Sequence, residues 1–237
     1  MIQSFIDFIQ GNLLLLGVLP QPAPNFRIIL IGLCTVNSPQ KSVLHVGSGY
    51  RNNVAFFPPA FKDWKEIRLD INPDCKPDLC CSMLDMKPVA DNSVDAIYSS
   101  HNIEHVHTHE VHHLLKEFLR VLKPTGFLLV TCPDLQAIGQ MIADDKLEDI
   151  VYTSPAGPIT PLDILFGLTR SVATGNVFMQ HKTGFTKTTL SRKLLAAGFK
   201  YVAAKRRVRK HDLWAIALKM RMMESNIRDL SMRFMPQ

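Results

Sequence analysis

Short apolar runs separated by polar turns recur along the chain from Ser42 onward. Val43 to Val46, Glu66 to Ile71, Leu79 to Ser82, Val94 to Ser99 and Phe127 to Cys132 have the length and composition of strands. Between the last two, Val111, Leu114, Leu115, Phe118 and Leu122 share one face of a helix from Glu110 to Leu122, which Lys123-Pro124-Thr125-Gly126 ends. Strands alternating with helical or turn segments predict an α/β fold, a parallel sheet wrapped by helices.

After Asp134 the alternation stops. Leu135 to Gln180 reads as an insertion, with Pro155, Pro158 and Pro161 in its middle. Thr186 then caps a helix carrying Leu190, Leu194 and Leu195, closed by Gly198. Tyr201 to Arg209 and Leu213 to Lys219 predict an antiparallel pair, and Met220 to Gln237 a basic helix or loose tail.

At the other end, Ile2, Phe5, Ile6 and Ile9 recur at helical spacing. This stripe reads as a helix covering the sheet or, more sharply, as one docking on a membrane surface or a protein partner. The apolar runs Leu13 to Leu19 and Ile28 to Cys34 are each shorter than the roughly 20 residues a spanning helix needs. No Lys or Arg precedes Leu13 and Asp7 interrupts the stretch, which argues against a secretory signal. The expected organisation is an apolar, amphipathic extension over 1–41, a main domain over 42–219 whose segment 135–185 is an acceptor or lid insertion, and a tail over 220–237.

Composition changes this picture little. The chain has 237 residues, 46% of them apolar, enough for a substantial core. Much of the net charge of +6 sits at Lys205, Arg206, Arg207, Arg209 and Lys210 and in the tail. Without interleaved aromatics, that run reads as a solvated strand edge and argues against a nucleic-acid partner. The five cysteines make no C-x-x-C pair, which suits a reducing, cytoplasmic setting.

The candidate chemistry begins at Val43-Leu44-His45-Val46-Gly47-Ser48-Gly49, a strand entering a glycine turn where a ligand can approach backbone amides. Asp70 ends the next strand about 20 residues on, where a carboxylate can accept both hydroxyls of a ribose. A diphosphate site wants a third glycine and a helix start, but Tyr50, Arg51, Asn52 and Asn53 follow, then Pro58-Pro59. A nucleoside without pyrophosphate therefore fits better than a dinucleotide. Asp85, in Ser82-Met83-Leu84-Asp85-Met86, could accept from an exocyclic adenine amine. The run from Asp91 to His105 ends a strand where ligands of open parallel sheets bind.

Gly47-Ser48-Gly49, Asp70, Asp85, the stretch from Asp91 to His105, and Leu122-Lys123-Pro124-Thr125-Gly126 resemble, in order and spacing, the successive motifs of class I S-adenosylmethionine-dependent methyltransferases over about Ser42 to Asp134. Ala173-Thr174-Gly175-Asn176, His181-Lys182-Thr183-Gly184-Phe185-Thr186 and Ala197-Gly198-Phe199 resemble a bacterial branch of that superfamily, similar to its type 11 members, which supplies no substrate. The resemblance implies a Rossmann-like, mostly parallel seven-stranded sheet and S-adenosylmethionine as cofactor. It gives the methionine part of the donor to Gly47 and Gly49, the ribose to Asp70, and the adenine to Asp85 with Met86. The expected donor set is His45, Gly47, Ser48, Gly49, Asp70, Ile71, Asp85, Met86 and Ser100. Two departures stand out: His45 occupies a position where an acidic residue is common, and Tyr50 and Arg51 replace the third glycine.

Six of the nine histidines lie between His101 and His113. His101-Asn102-Ile103-Glu104-His105 spells H-x-x-E-H, a zinc-protease pattern, with His109, His112 or His113 as a third ligand. That pattern needs a continuous helix, whereas here it follows directly on a strand, so the expected set contains no metal ligand. His107, His109, His112 and His113 read as a solvated helix face and cap. His101 borders the expected methyl position and is the first candidate base; His181 is the second. Glu104 and His105 either orient that imidazole or cap the following helix. Asn176, His181 and Lys182 are the polar candidates for the acceptor pocket. The reading is a methyltransferase acting on a small-molecule or saccharide hydroxyl. The alternatives are a non-catalytic donor-binding or partner-binding protein, and a zinc hydrolase using His101 and His105.

Overall fold

The structure, a computed structural model, describes residues 40–50 and 57–236. The expectations for the N-terminal stripe and its two apolar runs, and for Arg51 to Asn53, lie outside the described residues. A seven-stranded sheet takes the order β3-β2-β1-β4-β5-β9-β8. Its strands are β1 (Ser42–Val46), β2 (Lys65–Asp70), β3 (Leu79–Cys80), β4 (Val94–Ser100), β5 (Leu122–Pro133), β8 (Tyr201–Arg207) and β9 (Asp212–Leu218). β1 to β5 pair in parallel, and β9 runs antiparallel between β5 and β8. This is the Rossmann-like arrangement with an antiparallel closing pair.

Helix α1 (Val111–Val121) buries Val111, Leu114, Leu115, Phe118 and Val121. Leu122, expected on that helix, is instead the first residue of β5 and pairs with Val94, because the expected turn at Lys123-Pro124-Thr125-Gly126 continues as strand. Helix α5 (Lys187–Ala197) starts at a Thr186 capping box and buries Leu190, Leu194 and Ala197. The i, i+4, i+7 spacing of the buried residues leaves Leu195 outside the apolar stripe, and it is 51% exposed. These helices cover one sheet face. Phe61, Tyr98 and Phe127 form the other with Ile227 and Phe234 of α6 (Glu224–Phe234), so the C-terminal segment is a docked helix.

The insertion holds α2 (Leu135–Ala143), a hairpin of β6 (Tyr152–Ser154) and β7 (Gly157–Ile159), α3 (Pro161–Phe166) and α4 (Thr169–Ala173). Ile138, Ile159 and Ile164 make it a small core of its own. Among the described residues no helix is long and apolar enough to cross a membrane.

Two carboxylates brace the fold, Glu117 on helix α1 and Asp95 between strands of the sheet. The Arg120 guanidinium reaches both Glu117 oxygens at 2.8 Å, and this pairing holds Glu117 below its ordinary pKa despite partial burial. Burial alone would raise Asp95, but Lys123 and the Ser42 N–H more than offset it and keep Asp95 below its usual value. Carboxylates depressed in the folded state contribute stability above their unfolded pKa and lose it as pH falls through the folded one. Thermal stability is therefore expected to hold steady near neutrality and to fall below about pH 4 to 4.5, the ordinary carboxylate range. Glu117→Gln should flatten that acid limb; an unchanged profile would refute the assignment.

Candidate active site

The sheet order reverses between β1 and β4, and ligands of open α/β sheets bind at the carboxyl ends of such a pair. A cavity of about 590 Å³ opens there. Its floor is the turn after β1, where Gly47 and Gly49 take φ +64° and +60°. A side chain at Gly47 would be excluded twice, by that backbone and by Asn102, whose Oδ1 would lie 1.8 Å from an added Cβ. Asn102 fills the space because its amide donates to the Val46 carbonyl at 2.9 Å and the Ser100 carbonyl at 2.8 Å, joining the ends of β1 and β4. Beneath the turn, buried Arg68 donates to the Gly49 carbonyl and, at 3.2 Å, to the Lys76 carbonyl.

Asp70 stands at the rim, where its Oδ2 accepts from the Gly49 N–H at 2.8 Å and its Oδ1 from the Asn72 N–H at 2.9 Å. Each oxygen keeps a lone pair for a further donor. Ile71 beside it is 46% exposed, and with Met83 and Leu84 it offers an apolar wall to a flat base. Gly47, Gly49, Asp70, Ile71 and Ser100 of the expected donor set line this cavity.

The remaining expected donor residues do not reach it. Alternation along β1 puts His45 on the opposite sheet face, where Nδ1 meets Glu66 Oε1 at 2.7 Å and the ring stacks on Phe57. Asp85 faces Lys87 Nζ at 2.8 Å in solvent, and Met86 is fully buried in the core. Ser82, Met83 and Leu84 line the cavity in their place. Ser48 is buried beneath the turn.

His101 follows β4 in the left-handed region, φ +52°, a conformation uncommon for residues other than glycine and concentrated at functional sites. With Ser100 it lines both the first cavity and a second of about 740 Å³ on the other side. The second is walled by Phe57, Tyr98, Tyr152 and Trp214, with Thr153 and Ser154 of the β6–β7 hairpin and with Arg207, whose guanidinium pairs with Asp212 and lies 5.1 Å from the Trp214 ring.

Behind His101 sits Glu104, only 1% exposed, with Oε1 3.5 Å from His101 Nδ1. Burial would raise the Glu104 pKa, but His101, His105 and His181 around it keep it low and the carboxylate ionised. Enclosure correspondingly pulls His101 down, yet the Glu104 carboxylate prevails and holds it above the ordinary imidazole value. Burial lowers His181. His181 lines neither cavity; it packs against His105, ring centroids 4.8 Å apart. Of the other expected acceptor residues, Asn176 and Lys182 line the first cavity. His112 and His113 lie on α1, where His113 Nε2 donates to the Leu84 carbonyl at 2.8 Å, and His107 and His109 stack on each other just before it. Arg68 and, apart from the run from Asp91 to His105 that supplies Tyr98, Ser100 and His101, the walls of the second cavity carry no local sequence signal, and Asn102 lies in that run without a role that spacing reveals.

Residues 44–130 match a family model described as a methyltransferase domain. One chain in the complex between the Haloferax volcanii Trm112 methyltransferase activator and a methyltransferase is similar in fold: 15% identity, 78% of this chain and 84% of that one covered, TM-score 0.50. The CMeT domain of the citrinin polyketide synthase gives 13% identity, 77% and 47% coverage, and TM-score 0.50. No curated protein matches the chain. At these identities the structural likeness is one of fold, and it agrees with the family match. Residues 44–130 are thus similar to a methyltransferase domain, and the chain shares its fold with these two solved chains. The glycine floor, the Asp70 rim and the apolar wall at Ile71 fit a nucleoside joined to an amino acid, the chemistry of S-adenosylmethionine.

Proposed function

We propose that the chain transfers the methyl group of S-adenosylmethionine to a hydroxyl of a small-molecule or saccharide acceptor, and that the acceptor occupies the second cavity. The observation that carries this reading is that Ser100 and His101 are the residues common to the walls of both cavities. The cofactor, when bound, supplies an activated sulfonium methyl group, so the protein's main task is in-line alignment and exclusion of water. Effective molarities of about 10⁵ to 10⁸ M make positioning the larger contribution, with a general base adding roughly 10² to 10⁴-fold.

Gly47, Gly49 and Asp70 hold the donor side. His101 stands at the junction, where Glu104 faces its Nδ1 and favours the tautomer with the proton on that nitrogen. Nε2 is then the atom that accepts the hydroxyl proton. The aromatic walls of the second cavity suit the apolar face of a sugar or aryl ring, and Thr153 and Ser154 offer hydroxyl partners.

The test is incubation of the full chain with heavy-methyl donor and fractionated metabolites and glycans, read by mass spectrometry. A labelled small molecule or saccharide supports the reading. Donor binding with no labelled product in any fraction would leave a donor-binding protein without transferase activity and overturn it.

A further inference from the structure

The buried carboxylate of Glu104 and the imidazoles of His105 and His181 converge from two separate parts of the chain. One ligand-capable atom from each lies within 4.8 Å of the others. Glu104 is 1% exposed; its Oε1 has only the His101 imidazole at 3.5 Å, long for a hydrogen bond, and its Oε2 has no hydrogen-bond partner among the described residues. An ionised carboxylate left so in the interior is costly unless a cation answers it.

Both imidazoles are already oriented for that role. His105 Nδ1 is 2.9 Å from the Gln180 carbonyl oxygen, and His181 Nδ1 is 2.7 Å from the Ile164 carbonyl oxygen. A carbonyl only accepts, so each Nδ1 carries the proton, and in the neutral ring each Nε2 keeps a lone pair. Metal-binding histidines commonly show this arrangement, with one nitrogen fixed by a backbone carbonyl and the other left for the ion.

We propose that Glu104, His105 and His181 bind a divalent transition ion of the zinc type. Two imidazoles and a carboxylate are borderline-hard donors that suit Zn²⁺ or Co²⁺ and fit poorly with the all-oxygen preference of Mg²⁺ or Ca²⁺. Zinc bonds of about 2.0 to 2.1 Å put tetrahedral ligands about 3.3 Å apart, so the three groups would draw together by roughly 1 to 1.5 Å on binding. Three protein ligands leave a position open for water or another oxygen donor.

The site differs from the one the H-x-x-E-H spacing suggests. Ile103–His105 is a single 3-10 turn, so His101 and His105 do not stack on one helical face, and His101 lies at the cavity junction instead. His181 takes its place. The segment that brings it is strapped to the same turn, since the Lys182 and Thr183 amides donate to the Glu104 carbonyl at 2.8 and 3.2 Å. The ion would lock the returning end of the insertion onto the turn beside His101.

The test uses the full chain, expressed with zinc and also stripped and titrated with Co²⁺. The expected result is about one equivalent of tightly held metal, visible d–d bands of low-symmetry Co²⁺, and a melting temperature that falls with chelator. His181→Ala and His105→Ala should each weaken Co²⁺ binding by about 100-fold or more and abolish the chelator effect, whereas His112→Ala should change neither. Adenosylhomocysteine binding to His181→Ala should persist, so this result is separable from failure of the methyl-transfer reading. Should either variant fail to fold, competition of the wild-type chain against a chelating dye decides. Absence of stoichiometric binding there, or Co²⁺ affinity unchanged in a folded His181→Ala, overturns the site.

Discussion

Asp70→Ala is expected to weaken adenosylhomocysteine binding by about 100-fold or more. A carboxylate accepting two ribose hydroxyls makes charge-assisted bonds worth about 1.5 to 3 kcal/mol each, and water recovers only part of that for the free ligand. The carboxylate also accepts from the Gly49 and Asn72 amides, so alanine releases the glycine floor together with the ribose contact. Asp70→Asn, which keeps the shape and one acceptor, should cost about tenfold by the same arithmetic. Calorimetry on variants with unchanged melting behaviour is the measurement. Wild-type affinity in Asp70→Ala would place the nucleoside elsewhere.

The second large effect belongs to His101. Removing a general base typically lowers the rate by roughly 10² to 10⁴-fold, so His101→Ala should reduce kcat by that amount while the affinity for adenosylhomocysteine stays within about twofold. The left-handed backbone at φ +52° makes His101→Asn the better-matched control, because asparagine adopts that region readily. Both variants should fall together in kcat. If either transfers methyl groups at the wild-type rate, alignment alone is sufficient and the base assignment fails.

What the sequence disclosed and what it concealed divide along the range of the interactions involved. The β1 run, its glycine turn and Asp70 are local, each written in a few consecutive residues, and a parallel sheet wrapped by helices followed from alternation, though not the order of its strands. Leu122 was misplaced because an apolar residue at a helix–strand border satisfies both periodicities. The β6–β7 hairpin escaped because strands of three residues carry too little pattern to read. The contacts that complete the site are long-range. Asn102 reaches Val46 from 56 positions away, and Arg68 reaches Gly49 from 19. His181 meets His105 only because the insertion folds back on itself. His45 shows the converse: a motif position can be legible while its side chain serves the far side of the sheet.

The two bonds from Asn102 couple the donor seat to the strand that presents His101. The parts whose registration must be accurate thus ride on the rigid sheet, whereas the hairpin and the segment around Asn176 hang from it as separable attachments. Exchange of those attachments during divergence can retarget such a scaffold to new acceptors while its grip on the common donor is inherited unaltered.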